Sequence, residues 1–175
     1  MEATTKKTNP GFMYGLIGGL IFILITLGQY LGGVQAFLSP LGYLCYAMLI
    51  VIAVLAGLKQ KKTLGYLEFS EALKITFTTF VVAILLQTLF VYVLFNFIDV
   101  PFREAISQEV MIKTEAIMKK FGASEDQIDE AMKNEMGKNA YSFGKVMIGF
   151  GVGCIISFIF ALIISAIIQK RKPAF

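Results

Sequence analysis

An all-α, polytopic membrane protein with four transmembrane helices is the fold this sequence predicts, and three observations predict it. Four stretches without a charged side chain, 12–31, 37–58, 75–98 and 146–168, take up about half of the 175 residues. Each supplies the roughly 20 helical residues needed to cross a hydrocarbon core about 30 Å thick, where only a helix or a closed barrel satisfies its own backbone. Composition agrees: 57% of residues are hydrophobic, 16% are charged and the mean hydropathy is +0.72, well away from soluble-domain usage. The charges, finally, are sorted by side. Lys6 and Lys7 precede the first span, Lys59, Lys61 and Lys62 follow the second, and Lys170, Arg171 and Lys172 follow the fourth.

In chain order, residues 1–11 read as a cytoplasmic tail and 12–31 as the first helix. Lys6 and Lys7 ahead of an apolar run, with Val34-Gln35-Ala36 after it, resemble a signal peptide with a small-residue cleavage site. The run is long for that role and three more spans follow, so it is expected to be retained. The uncharged 32–36 turn leads into the second helix, 37–58, and a cytoplasmic loop covers 59–74. Ser70 is the expected N-cap of the third helix. Glu71 suits its first turn, with Lys74 one turn on as an interfacial ion-pair partner. The third span is 75–98. The positive-inside rule places both termini and the 59–74 loop in the cytoplasm, so segment 99–145 lies outside, with nine acidic and seven basic residues. The fourth span is 146–168, and 169–175 is a basic tail. The net charge of +4 follows from this topology and from contact with anionic lipid; it does not argue for nucleic acid.

Segment 99–145 reads as an external helical hairpin between the third and fourth spans. Pro101 suits a first helical turn, and Phe102, Ile106, Val110, Ile117 and Phe121 recur at helical spacing as one apolar face. Glu109–Lys113 and Glu115–Lys119 are favourable i,i+4 pairs. Gly122 interrupts the pattern, Ser124 and Gln127 form a capping box, and Ile128, Ala131, Met132 and Met136 make a second stripe before Gly137.

The most specific pattern is in the fourth span. Gly149, Gly153, Ser157, Ala161 and Ser165 fall at every fourth position, the arrangement that lets helix backbones approach closely in a membrane. Gly11, Gly15 and Gly19 repeat it at the first span, so contact between helices one and four is expected, with self-association through the same face as the alternative. Gln87 lies near the midplane of the third span. It reads as an interhelical hydrogen bond before a transport path, because no ionisable residue lies in any span. Cys45 and Cys154 sit at similar depth, roughly 12 Å in at 1.5 Å per residue, and read as small apolar residues.

Chemistry is otherwise sparse. There is no histidine and no tryptophan, which leaves tyrosines as the interfacial anchors and removes the commonest metal ligand and general base. No nucleophile–base pair, phosphate-cradling glycine loop or metal-ligand spacing is present. No catalytic residue, cofactor or metal is expected, and the external carboxylates read as solvated helix faces.

Gly65-Tyr66-Leu67-Glu68-Phe69-Ser70-Glu71-Ala72-Leu73-Lys74 before the third span, Phe95-Asn96-Phe97-Ile98-Asp99 at its end, Phe121 through Ile128 in the hairpin, and the Gly/Ser/Ala-lined last span with its basic tail together resemble a domain-of-unknown-function family of small four-helix membrane proteins of Bacteroidota. Val100, between Asp99 and Pro101, is a departure that touches only a turn. The resemblance covers nearly the whole chain and implies a bacterial inner-membrane location with 99–145 in the periplasm. It carries no activity and no catalytic residues. The function expected is a non-enzymatic inner-membrane module that meets lipid and assembles with itself or a membrane-protein partner. A small transporter or accessory transport subunit using a polar path near Gln87 is the alternative.

Overall fold

The computed structural model describes residues 9–135 and 137–170. Helix α1 spans Pro10–Leu31, a short α2 Val34–Phe37, α3 Gly42–Leu64 and α4 Phe69–Val93. One π-helical turn, Leu94–Ile98, extends α4; then come α5 (Val100–Lys120), α6 (Glu125–Glu135) and α7 (Phe143–Ile168). Among the described residues four helices are long and apolar enough to span a membrane: α1, α3, α4 with its π turn, and α7. Lys6, Lys7, Met136, Arg171 and Lys172, used in the sequence reading, lie outside the described residues.

α4 is the central helix. It packs most extensively on α1, then on α7, and also touches α3. The core follows its length: Ala72, Ile75, Phe80, Ala83 and Ile84 of α4 meet Leu49, Ala53 and Ala56 of α3 and Ala161, Ile164 and Ile168 of α7. Cys45, Leu49, Ala53 and Ala56 bury one stripe of α3 at helical spacing, while Leu44, Val51 and Leu55 of its other face are exposed. An apolar outer face suits a helix whose surroundings are lipid.

The expected contact between the first and fourth spanning helices is not made: α1 and α7 form no extended contact among the described residues. Gly11, Gly15 and Gly19 face α4 instead. A β-carbon at Gly11 would collide with the Ile75 carbonyl oxygen, and one at Gly15 would stand 2.7 Å from Val82 Cβ and 3.0 Å from the Thr79 carbonyl. One at Gly19 would stand 3.3 Å from Ala83 Cα. The sequence offset is constant at 64 (11 with 75, 15 with 79, 19 with 83), so the two helices run parallel and in step.

Several bounds differ from the sequence reading, each for a local reason. Ser39-Pro40 interrupts the start of the second span, because the Ser39 hydroxyl donates to the Ala36 carbonyl (2.6 Å) and α3 begins only at Gly42. Lys59–Lys62 continue α3 as helix. α4 begins at Phe69, one residue before the expected cap at Ser70, with extended Glu68 in the cap position. Glu71 accepts from Gln60 Nε2 at 2.8 Å in place of pairing with Lys74.

The end of the bundle opposite α5 is tied by backbone. Leu67 and Lys170 exchange both backbone hydrogen bonds (2.9 and 2.7 Å), and Lys61 Nζ donates to the Ile168 carbonyl at 3.0 Å, satisfying the last turn of α7. Lys59 Nζ lies 5.5 Å from the centre of the Tyr14 ring, a cation–π geometry.

Candidate functional site

Two adjoining features at the α5 end of the bundle gather most of the polar chemistry. The first is the base of α5. The π turn admits one extra residue at the end of α4, with the Asp99 amide donating to the Leu94 carbonyl at 2.8 Å, and that turn brings Asn96 and Asp99 together with three other segments. Asp99 caps α5 by accepting from the Phe102 amide (2.8 Å) while its other oxygen accepts from the Tyr30 hydroxyl of α1 (2.7 Å). Asn96 Nδ2 donates to the carbonyls of Tyr92 and Tyr141, both at 2.9 Å. Its Oδ1 accepts from Asn139 Nδ2 at 2.9 Å and from Arg103 Nη1 at 3.5 Å. One asparagine thus joins α4, α5 and the segment leading into α7.

Rings pack beneath this network. Phe95 is fully buried, with Tyr141 at 4.6 Å, Phe37 at 5.3 Å and Phe102 at 6.0 Å between ring centres, and Tyr30 lies 4.7 Å from Phe102. Such aromatic pairs add about 0.5–1.5 kcal/mol each beyond area burial. Burial raises the Tyr141 phenol above its usual range. On the flank, Gln35 Nε2 donates to Glu109 at 2.9 Å, tying α2 to α5.

The structure divides the apolar face expected on α5. Phe102 and Ile106 belong to the packed base, with Ile106 only 2% exposed; Val110, Ile117 and Phe121 are 44, 56 and 85% exposed. α6 touches α5, and the two line a shallow groove of about 150 Å³ with Val110, Met111 and Met132 among its walls. Gly122 (φ +79°) and Gly137 (φ +76°) stand past the ends of α5 and α6 in the left-handed conformation that favours glycine. Ser124 and Gln127 exchange the two bonds of a capping box. Glu109–Lys113 and Glu115–Lys119 are paired at 3.7 and 2.6 Å; the Glu115 carboxylate lifts Lys119 above its ordinary range.

Of the small residues on α7, Ser157, Ala161 and Ser165 are buried, and Ser165 Oγ lies 3.1 Å from Thr76 Oγ1 of α4. The Thr76 hydroxyl also lies 2.9 Å from the Ala72 carbonyl, and either hydroxyl can donate across the interface. Gly153 faces Ile84 with room for a β-carbon at 3.6 Å, and Gly149 faces open space. Cys45 is buried, Cys154 is half-buried, and both are free thiols. Among the described residues no group of His, Cys, Asp and Glu could hold a metal ion.

The second feature is a cleft of about 540 Å³ between α1, the α2–α3 turn, α3 and α4. Gln87 of α4 reaches its wall, with Nε2 donating to Thr26 Oγ1 of α1 at 2.7 Å. The hydrogen bond expected at Gln87 is therefore present, but half of the amide is left over. Gln87 Oε1 and Gln29 Nε2, both lining the cleft, are buried without any hydrogen-bond partner. An unmade bond at a buried polar atom costs about 1–3 kcal/mol. Phe37 forms a shared wall, touching the cleft on one side and Phe95 on the other.

Asn96, Asp99, Arg103, Asn139, Tyr30 and Gln29 were not singled out as site residues by sequence. Tyr30 and Asp99 are 69 positions apart and Asn96 and Asn139 43 apart, so no local spacing links them. The one readable hint is that Asn96 and Gln29 are amides inside apolar spans.

Residues 13–170 match the family described as a protein of unknown function, DUF4199. The chain belongs to that family. Its match covers all four spanning helices nearly end to end, together with α5 and α6. No curated protein and no solved structure matches the chain.

Proposed function

We propose that this DUF4199 chain is a non-enzymatic inner-membrane protein that presents the α5–α6 hairpin outside the membrane to a protein partner. The observation that carries the reading is the division of α5. Its base is fastened to α1, α4 and the segment before α7 by the Asn96 and Asp99 networks, while Val110, Ile117 and Phe121 at its far part are left uncovered. A rigid base with a bare apolar tip suits recognition, because little ordering entropy is lost on binding. Charge favours a protein over the bilayer as occupant. α6 holds five acidic residues (Glu125, Asp126, Asp129, Glu130, Glu135) against one basic residue, Lys133. With Arg103, Lys113, Lys119 and Lys120 of α5 counted, the 100–135 hairpin still carries eight acidic against five basic residues, a net of −3 that an anionic lipid surface repels. A protein surface with an apolar centre and a basic rim is complementary. The lysine clusters support cytoplasmic termini and a periplasmic hairpin.

Photo-crosslinkers placed at Ile117 and Phe121 in cells test this. A discrete protein adduct at both positions is expected. Adducts to lipid alone would place the hairpin on the bilayer and overturn the reading.

Transport along a polar path near Gln87 is the second reading, favoured by the unpaired Gln87 oxygen. Against a through-path, the helices close up just beyond the cleft: a β-carbon at Gly18 would lie 2.9 Å from Leu49 Cδ2 and 3.6 Å from Ala83 Cβ. The feature is better suited to holding a molecule than to conducting one. A Gln87→Leu variant that abolishes a measured flux would favour transport; unchanged flux would remove it.

A further inference from the structure

We infer that the cleft between α1, α3 and α4 is a binding site for an uncharged amphiphile whose head is a hydroxyl group and whose tail is apolar. The cleft lies within the apolar helices, near the α5 end. Its volume of about 540 Å³ falls in the range of small-molecule sites, about 300–1,000 Å³. One water takes a share of about 30 Å³, so bridging the two amides with water would leave most of the space unused.

The chemistry of the walls selects the occupant. Phe22, Phe37, Tyr43 and Tyr46 offer ring surface, and among the described residues no Asp, Glu, Lys or Arg lines the cleft. A charged head would enter an apolar setting without a counter-charge, which is strongly unfavourable. Two polar atoms are unpaired: Gln29 Nε2 needs an acceptor and Gln87 Oε1 needs a donor. A hydroxyl is both at once. Turning the Gln87 amide over would exchange which end lacks a partner without supplying one. With Gln87 Nε2 on Thr26, a ketone or ester head, which only accepts, satisfies Gln29 and leaves Gln87 Oε1 unpaired, whereas a hydroxyl serves Gln87 in either amide orientation.

The route of entry is consistent with a lipid-like molecule. Tyr43 and Tyr46, on the first two turns of α3, are 78% and 50% exposed while also lining the cleft, so its open side is at their level. Gly42 lines this mouth beside Gln29; a β-carbon there would lie 4.0 Å from Gln29 Nε2, at ordinary contact distance. The inference is independent of the hairpin's partner, since none of these residues is on α5 or α6.

The test uses the full chain in phosphatidylcholine nanodiscs with a diazirine-bearing hexadecanol as probe, and adducts mapped by mass spectrometry. Saturable labelling within residues 37–46 is expected, displaced by unlabelled hexadecanol or dioleoylglycerol but not by hexadecane or dioleoylphosphatidylglycerol. Displacement by hexadecanol alone would assign the site to single-chain alcohols; displacement by the glyceride as well would admit membrane diacylglycerols. Gln29→Leu and Gln87→Leu should each weaken half-saturation at least tenfold. Gln29→Leu guards against misfolding, because the Nε2 it removes bonds nothing in the fold. Labelling that does not saturate, that hexadecane displaces equally, or that both variants retain unchanged would overturn the inference. A cleft filled by water alone gives the first of these results.

Discussion

The glycines of α1 and the small residues of α7 follow the same every-fourth-residue rule and serve opposite ends of a range. Gly11, Gly15 and Gly19 are pressed against the α4 backbone and the stems of its side chains, with no space for even a methyl group. On α7 the stripe is graded: Ser165 and Ala161 are fully buried, Ser157 is 5% exposed, Gly153 has ordinary contact distance to spare, and Gly149 meets nothing. Identical spacing therefore encodes permission for close approach, and the facing helix decides whether the permission is used. Small stripes also do not seek each other here. Both dock on α4, which meets α1 with Ile75, Thr79 and Ala83 in parallel and α7 with Thr76 and Ile84 running the other way.

The largest effect should come from α1. Gly15→Ala is expected to destabilise the fold by about 1–3 kcal/mol, the usual range for overpacking, because its β-carbon would meet a carbonyl oxygen that cannot move without shifting α4. Gly15→Leu should prevent stable purification altogether. Unfolding in a detergent titration, followed by circular dichroism, reads both. If Gly15→Ala unfolds together with the parent protein, the close α1–α4 contact is not a determinant of stability. Next in size is Ser165→Ala, which removes the hydroxyl facing Thr76. Its expected cost is about 0.6 kcal/mol, up to about 1.7, and it stays modest because Thr76 retains its bond to the Ala72 carbonyl.

The four spans were legible in sequence because length and apolarity suffice to mark them, and the capping box at Ser124–Gln127 was legible because both of its partners are local. Helix pairing was not. Gly11, Gly15 and Gly19 announce a close contact without naming the partner, and matching small residue to small residue selected α7 where the structure has α4. Start positions slipped where one hydrogen bond decides them, as at Ser39. The base of α5 was least legible. It depends on a π turn that has no residue signature in Leu94–Ile98, and on partners tens of positions apart. Gln87 was visible as an amide in an apolar helix, but its half-satisfied state depends on where Thr26 falls across the interface, which no spacing within α4 reveals.

Gly153 sharpens the comparison within α7. Gly153→Ala should be neutral or stabilise slightly. The added methyl has ordinary contact with Ile84, and replacing a mid-helix glycine by alanine gains about 0.5–1 kcal/mol in helix preference. Gly153→Leu should cost more than Gly153→Ala and less than Gly15→Leu, because a β-carbon at Gly153 meets Ile84 only at 3.6 Å while one at Gly15 stands 2.7 Å from Val82 Cβ. Reversal of the order between positions 15 and 153 would mean that α7, not α1, is the tighter interface.

The smallest effect on folding is expected at Gly149, and it is the most informative about assembly. With open space at its β-carbon, Gly149→Leu should change the unfolding midpoint by no more than about 0.5 kcal/mol, as for surface substitutions generally. Within one chain nothing uses the close approach that Gly149 allows. A second chain could, with Val152 and Ile156, both about half exposed, flanking the contact. Gly149→Leu therefore separates folding from self-association: single-molecule photobleaching or native mass spectrometry of the purified protein reads the oligomer while circular dichroism reads the fold. A dimer in the parent protein that Gly149→Leu dissolves with its fold intact would assign this end of the stripe to a homotypic interface. The same oligomeric state in both proteins would leave Gly149 as a lipid-facing glycine, and the stripe's contribution would then end at Gly153.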